Sequence, residues 1–181
     1  FIPGIVDSQD ISLNISREML QNNPVISKIR KGITSKILNE LNTLSKKEIK
    51  KFENFWDNFG PVVKEGLYES NEFHEKILPL LRFQTSESDE LISLDQYLET
   101  MKSDQKEIYY FANTDKTHIK NSPQLEAFVA NKIPVIFMTD AVDEFWLQNV
   151  PKFKDKDFKS ITKGNIDIPN LKAKKDKNDK E

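Results

Sequence analysis

The chain has 181 residues, 27 basic and 29 acidic side chains for a formal net charge of −2, and no cysteine. That length suits one ordinary domain or two small ones, and its interspersed charge offers no global field to hold a nucleic-acid backbone. The missing cysteines exclude disulfides, thiolate metal sites and a cysteine nucleophile together, and no apolar run reaches the ~20 residues that a membrane-spanning helix needs.

Phe1 stands where a natural start would have Met, and no signal-peptide pattern follows it, so the chain reads as a piece cut from a longer protein. Ile2, Ile5 and Val6 read as the end of an apolar strand. A polar loop follows, then the first turn of a helix near Ser16. Arg17 and Gln21 are four apart and share one face of such a helix. A guanidinium offers a rigid fork of donors to phosphate oxygens, and an amide one turn later could assist it. By spacing alone, an ordinary surface arginine at a helix start is the commoner explanation.

Val25, Ile29, Ile33, Ile37, Leu41 and Leu44 form the apolar stripe of a long helix, with Pro24 at its first turn. Lys28, Arg30, Lys31 and Lys36 fall on its other faces, most simply as solvated surface and less simply as a phosphate-facing patch. Ser45-Lys46-Lys47-Glu48 has the form of a capping box that stops this helix and starts the next. Ile49, Phe52, Phe55, Trp56 and Phe59 then fall within an arc of roughly 120°, a core-facing set. Gly60-Pro61 reads as a break, with short helices expected around Val62–Glu69 and Glu72–Leu81.

Residues 84–92 read as a polar connector, and Ser93-Leu94-Asp95-Gln96 as a second capping box. From there strand and helix alternate. Ile108–Ala112 is a short strand, and Ser122 caps a helix with Pro123 first and Leu125, Phe128 and Val129 facing inward. Pro134–Thr139 is a buried strand, and Asp140 caps the next helix. Another extended piece is expected near Phe158–Ile161. This alternation argues a parallel α/β sheet. The tail from Leu171 to Glu181, almost wholly Lys, Asp, Asn and Glu, is expected to be disordered.

The helix after Asp140 is unusual. In projection Val142, Phe145, Trp146, Leu147 and Val150 spread over roughly 200°, wider than one buried face requires. Either a bulky ring lies partly exposed between Glu144 and Gln148, as an adaptable protein-binding surface would need, or a further domain buries the second face. The remaining inventory is short. His74 and His118 lie in different segments with no partner at metal-ligand spacing, so no metal site is expected. None of the five glycines forms a phosphate loop or a nucleophile elbow. No complete active site is legible.

The wording of the first loop, Asp7-Ser8-Gln9-Asp10-Ile11-Ser12-Leu13-Asn14-Ile15-Ser16-Arg17-Glu18-Met19-Leu20-Gln21, resembles the middle domain of the ninety-kilodalton heat-shock protein family of ATP-driven chaperones. Its wording is nearest the bacterial high-temperature protein G type. Further blocks read like the family in family order, among them Gly66-Leu67-Tyr68-Glu69, Leu80-Leu81-Arg82-Phe83, Ser122-Pro123-Gln124-Leu125-Glu126-Ala127 and Thr139-Asp140-Ala141-Val142-Asp143-Glu144.

The resemblance implies an α/β fold in which a helical coil links the remnant of a large α-β-α subdomain to a small one with a short, mainly parallel sheet. Residues 1–45 would end the large subdomain, 46–83 form the coil, 84–163 the small subdomain, and 164–181 enter a further C-terminal domain. It also implies that Arg17, with Gln21 beside it, meets the γ-phosphate of ATP held with Mg²⁺ in a separate N-terminal domain. No cofactor is expected in this piece alone. Glu144, Phe145, Trp146 and Gln148 match positions where bacterial members bind client protein. The parent would be a cytoplasmic, homodimeric ATPase acting on unfolded clients, without nucleic-acid or membrane partners, and the piece by itself a non-catalytic monomer. A free-standing interaction or adaptor module on the same scaffold is the competing reading.

Overall fold

A computed structural model describes Gly4, Ile5, Asp7 and residues 23–163. The loop with Arg17 and Gln21 and the charged tail 164–181 lie outside the described residues. Helix α1 (Pro24–Lys47) starts where Asn23 Oδ1 accepts from the Val25 amide at 2.8 Å, with Pro24 in the first turn. Each four-residue step of its stripe advances about 40° around the helix, so the stripe winds instead of facing one neighbour. Only the C-terminal part meets the core: Leu38 is buried and Leu41 and Leu44 pack beside it, while Ile33 is exposed.

The first capping box does not form. Ser45 lies inside α1, buried, with its hydroxyl donating to the Asn42 carbonyl at 3.0 Å, and its helical backbone cannot take the non-helical conformation that a cap requires. Lys46 and Lys47 complete the last turn, where positive charge suits the helix dipole. Glu48 alone separates α1 from α2 (Ile49–Glu69), and its carboxylate pairs with Lys51.

Nor does Gly60-Pro61 break the chain; α2 runs through it to Glu69. A proline inside a helix costs roughly 3 kcal/mol, but burial of Phe52, Trp56, Val63 and Leu67 on one side of α2 outweighs that at roughly 1.5–3 kcal/mol per side chain. Gly60 is required here because an added Cβ would stand 2.9 Å from Trp56 Cε2. Of the expected aromatic face, Phe52 and Trp56 are buried, Phe55 and Phe59 half-buried, and Ile49 is exposed. The helix expected over 72–81 is divided into a 3₁₀ turn (Asn71–Phe73), α3 (His74–Ile77) and a second 3₁₀ turn (Leu78–Leu80) containing Pro79. Asn42 Nδ2 donates to the Lys76 carbonyl at 2.9 Å and holds this segment against α1.

The second half is the α/β layer. The 84–92 connector carries β1 (Gln84–Thr85) and is closed by paired 2.9 Å bonds between Phe83 and Ile92. The second capping box does form: Ser93 Oγ accepts from the Gln96 amide and Gln96 Oε1 from the Ser93 amide, opening α4 (Leu94–Thr100). Then follow β2 (Glu107–Ala112), α5 (Lys116–Lys120), α6 (Pro123–Ala130), β3 (Ile136–Met138), α7 (Asp143–Asn149), β4 (Lys152–Phe153) and β5 (Lys156–Ser160). Ser122 precedes α6 as expected, but its hydroxyl makes no capping bond, and Val129 faces solvent instead of the core.

Strand order is β1-β3-β2-β5-β4; β3, β2 and β5 run parallel, and the two-residue edges β1 and β4 run antiparallel. The mainly parallel sheet is therefore present, with β5 where the last extended piece was expected. Alternation along the strands divides the core. Ile108, Ile136 and Met138 face α2, α4 and α7, whereas Tyr109, Phe111, Val135 and Phe137 face α5 and α6.

Candidate functional site

Helix α7 is fixed from beneath by a buried cation. Lys64 of α2 places its ammonium 2.7 Å from Asp140 Oδ2 and 2.8 Å from Asp143 Oδ1. Asp143, fully buried, also accepts from Trp146 Nε1 at 2.8 Å and from the Asp140 amide at 3.0 Å. A buried carboxylate is tolerated when paired and hydrogen-bonded in this way. The network explains why Asp140 is not the helix cap expected of it: its carboxylate is taken by Lys64, and α7 begins three residues later.

The same network separates the two rings of α7. Trp146 is fully buried against Phe158 and bonded to Asp143, so it is no part of the surface, and its place among the client-contact candidates is corrected. Phe145 is 54% exposed, with Glu144 and Gln148 exposed around it. The wide apolar arc of α7 thus resolves into a buried side anchored by Trp146 and an outer side led by Phe145. Lys163 pairs with Glu144 at 3.5 Å, both largely in solvent.

One residue of this surface was not singled out from the sequence. Tyr68, on the last turn of α2, is 58% exposed and stands edge-on to Phe145 with ring centroids 6.1 Å apart. Its only sequence signal is position: Tyr68 lies four residues after Lys64, so both face α7. Asn149 Nδ2 donates to the Tyr68 carbonyl at 3.1 Å, and the His74 ring bonds the Leu67 carbonyl at 2.8 Å.

Arg17 and Gln21 cannot be placed in this geometry, since they lie outside the described residues. Gly32, Gly60 and Gly66 lie inside helices, not in a loop whose amides could cradle phosphate. Among the described residues no three His, Asp or Glu side chains are placed to hold a metal ion. Arg82 is committed inward: it donates to the Pro79 and Leu81 carbonyls and lies 4.7 Å over the Phe52 ring, and burial lowers its pKa against the opposing pull of Glu53 and Asp95.

A model of the Hsp90 protein family matches residues 1–181. The chain belongs to the Hsp90 family. It is 46% identical over 171 residues to the chaperone protein HtpG of Roseobacter denitrificans, which covers 94% of this chain and 28% of that relative. With the HtpG of Rhodopseudomonas palustris it shares 47% over 178 residues, 97% of this chain and 28% of the relative. Among solved structures, the middle domain of a Plasmodium falciparum heat shock protein is similar with a TM-score of 0.71 at 33% identity, over 79% of this chain and 61% of that one. The chain thus spans less than a third of the length of these HtpG relatives, and its fold is that of an Hsp90 middle domain. Among the described residues of this Hsp90-family chain, no helix is long and apolar enough to cross a membrane.

Proposed function

We propose that this chain works as the middle domain of an ATP-driven chaperone of the HtpG type, between an N-terminal ATPase domain and a C-terminal dimerisation domain. Residues 1–45 would belong to its large subdomain, 46–83 to the coil, 84–163 to the small subdomain and 164–181 to the approach to the C-terminal domain. The parent would be cytoplasmic and homodimeric. ATP and Mg²⁺ supply the phosphoryl chemistry from the ATPase domain. This chain's own part is Arg17, with Gln21 beside it, directed at the γ-phosphate, together with a surface that holds unfolded client protein.

The observation that carries the client half of this reading is the division of α7: Phe145 is open to solvent between Glu144 and Gln148, while Trp146 is spent inside. An exposed ring on a braced helix can meet apolar side chains of many sequences. The nucleotide half rests on the match of the Arg17 loop and on family membership.

Arg17→Ala in the full-length protein tests it. ATP turnover is expected to fall while nucleotide affinity holds; arginines supplied in this way are worth roughly 10³–10⁵ in rate in GTPases. Unchanged turnover removes Arg17 from the mechanism and favours an adaptor role. For the client surface, a photocrosslinker at position 145 should capture an unfolded model client, and no crosslink at saturating client would count against it.

A further inference from the structure

We propose that the client-holding surface does not end on α7 but crosses onto α2, with Tyr68 as its second aromatic contact and Glu65 and Glu69 as an acidic rim. Its occupant is an unfolded polypeptide segment whose apolar side chain is flanked by Lys or Arg. The inference rests on the reading of Phe145 as client-binding and extends it to residues that reading does not include.

Tyr68 and Phe145 touch edge-on yet are each more than half exposed, so their open faces together make one aromatic platform spanning two helices. The platform is preset. Lys64 ties α2 to α7 through Asp140 and Asp143, and Asn149 ties the other end through the Tyr68 carbonyl. Rings already held in place lose little freedom when a partner arrives.

The surrounding charge selects the partner. Glu65, one turn before Tyr68, is exposed and has no ion pair among the described residues, whereas Glu69, next to Tyr68, is exposed but lines the groove that α2 shares with Arg30 and Lys31 of α1. Glu144, beside Phe145, pairs among the described residues with Lys163 at 3.5 Å, both side chains in solvent, a pair that contributes little. Lys64, beneath the platform, is buried and neutralised by two carboxylates. Aromatic faces attract ammonium and guanidinium groups as well. Apolar contact and charge therefore favour the same basic-apolar segment.

The test uses a fluorescent, unstructured peptide carrying a Leu-Phe pair between lysines, and the same peptide with glutamates in their place. Binding is read by anisotropy against wild type, Tyr68→Ala, Tyr68→Phe, Phe145→Ala and Glu65→Lys/Glu69→Lys, with circular dichroism confirming that each variant folds. Tyr68→Ala is expected to weaken the lysine peptide about threefold to tenfold, the range one aromatic contact carries, while Tyr68→Phe retains binding. The double charge reversal should invert the preference between the two peptides. If Phe145→Ala weakens binding and Tyr68→Ala does not, the surface stops at α7 and this proposal falls while the reading beneath it stands. If neither matters, that reading falls too. Loss of concentration-dependent self-association in Tyr68→Ala would mean that a second copy covers the platform, and would overturn the proposal.

Discussion

Replacing Lys64 with Ala removes the cation between Asp140 and Asp143 and leaves a fully buried carboxylate without its counter-charge. Breaking a buried pair from one side costs roughly 3–5 kcal/mol. Asp143 would keep its bonds from Trp146 Nε1 and the Asp140 amide, which places the loss near the lower bound, about 3 kcal/mol. For a domain of this size each kcal/mol shifts the melting point by about 2–4 °C, so a drop of about 6–12 °C is expected. Thermal melts followed by circular dichroism measure the drop, and urea unfolding followed by tryptophan fluorescence measures the free-energy loss. If Lys64→Ala costs less than about 1 kcal/mol, the pair behaves as an exposed one would, and the claim that it braces α7 is refuted.

Two helical glycines should respond oppositely to Ala. Gly32→Ala meets nothing within 4 Å and should stabilise α1 by about 0.5–1 kcal/mol, whereas Gly60→Ala drives a Cβ to 2.9 Å from Trp56 and should destabilise by about 1–3 kcal/mol; thermal melts of the two variants settle the sign. Alkaline stability should follow two buried tyrosines. Burial raises the Tyr97 pKa despite hydrogen bonds from the Tyr109 amide and Gln105, and burial, with Glu107 adding to it, pushes Tyr109 up to about 12. Unfolded tyrosines ionise near pH ~10. Stability is therefore full below that pH and lost as pH rises through the folded values, because the unfolded state releases its protons first. Tyr97→Phe should lower stability at neutral pH, where the Tyr109 amide and the Pro134 carbonyl lose their partner, yet give a shallower alkaline decline in pH-dependent melts. An unchanged slope would contradict the assignment.

What the sequence made legible follows the range of the interactions involved. The β2 and β3 strands, the Ser93 box and the start of α1 rest on local chemistry or a clear apolar run, and each stands where its residues place it. The errors lie where distant partners intervene. Asp140 lost its capping role to Lys64 across 76 positions of sequence, and Pro61 was carried through α2 by packing; Ser45, by contrast, was simply held inside α1 as the helix ran on to Lys47. α5 was missed although Asp115 caps it through the Thr117 and His118 amides, because five residues are too few for a period to emerge. On α7, the wide arc left two readings, an open ring or a second face buried by a further domain. Only the Asp143–Trp146 bond decides which ring turns inward, and Tyr68 enters through a helix crossing that no local pattern contains.

The sheet edges bear on how such a surface could act. Both edge strands are two residues long. β4 is preceded by Pro151 and leads into Lys154, and the Thr85 amide of β1 is already taken by the Ser88 carbonyl. Edges this short and blunted give an extended chain no row of backbone groups to pair with. An unfolded polypeptide lodged on the aromatic platform would thus be gripped by side chains alone, and could leave without unzipping a strand.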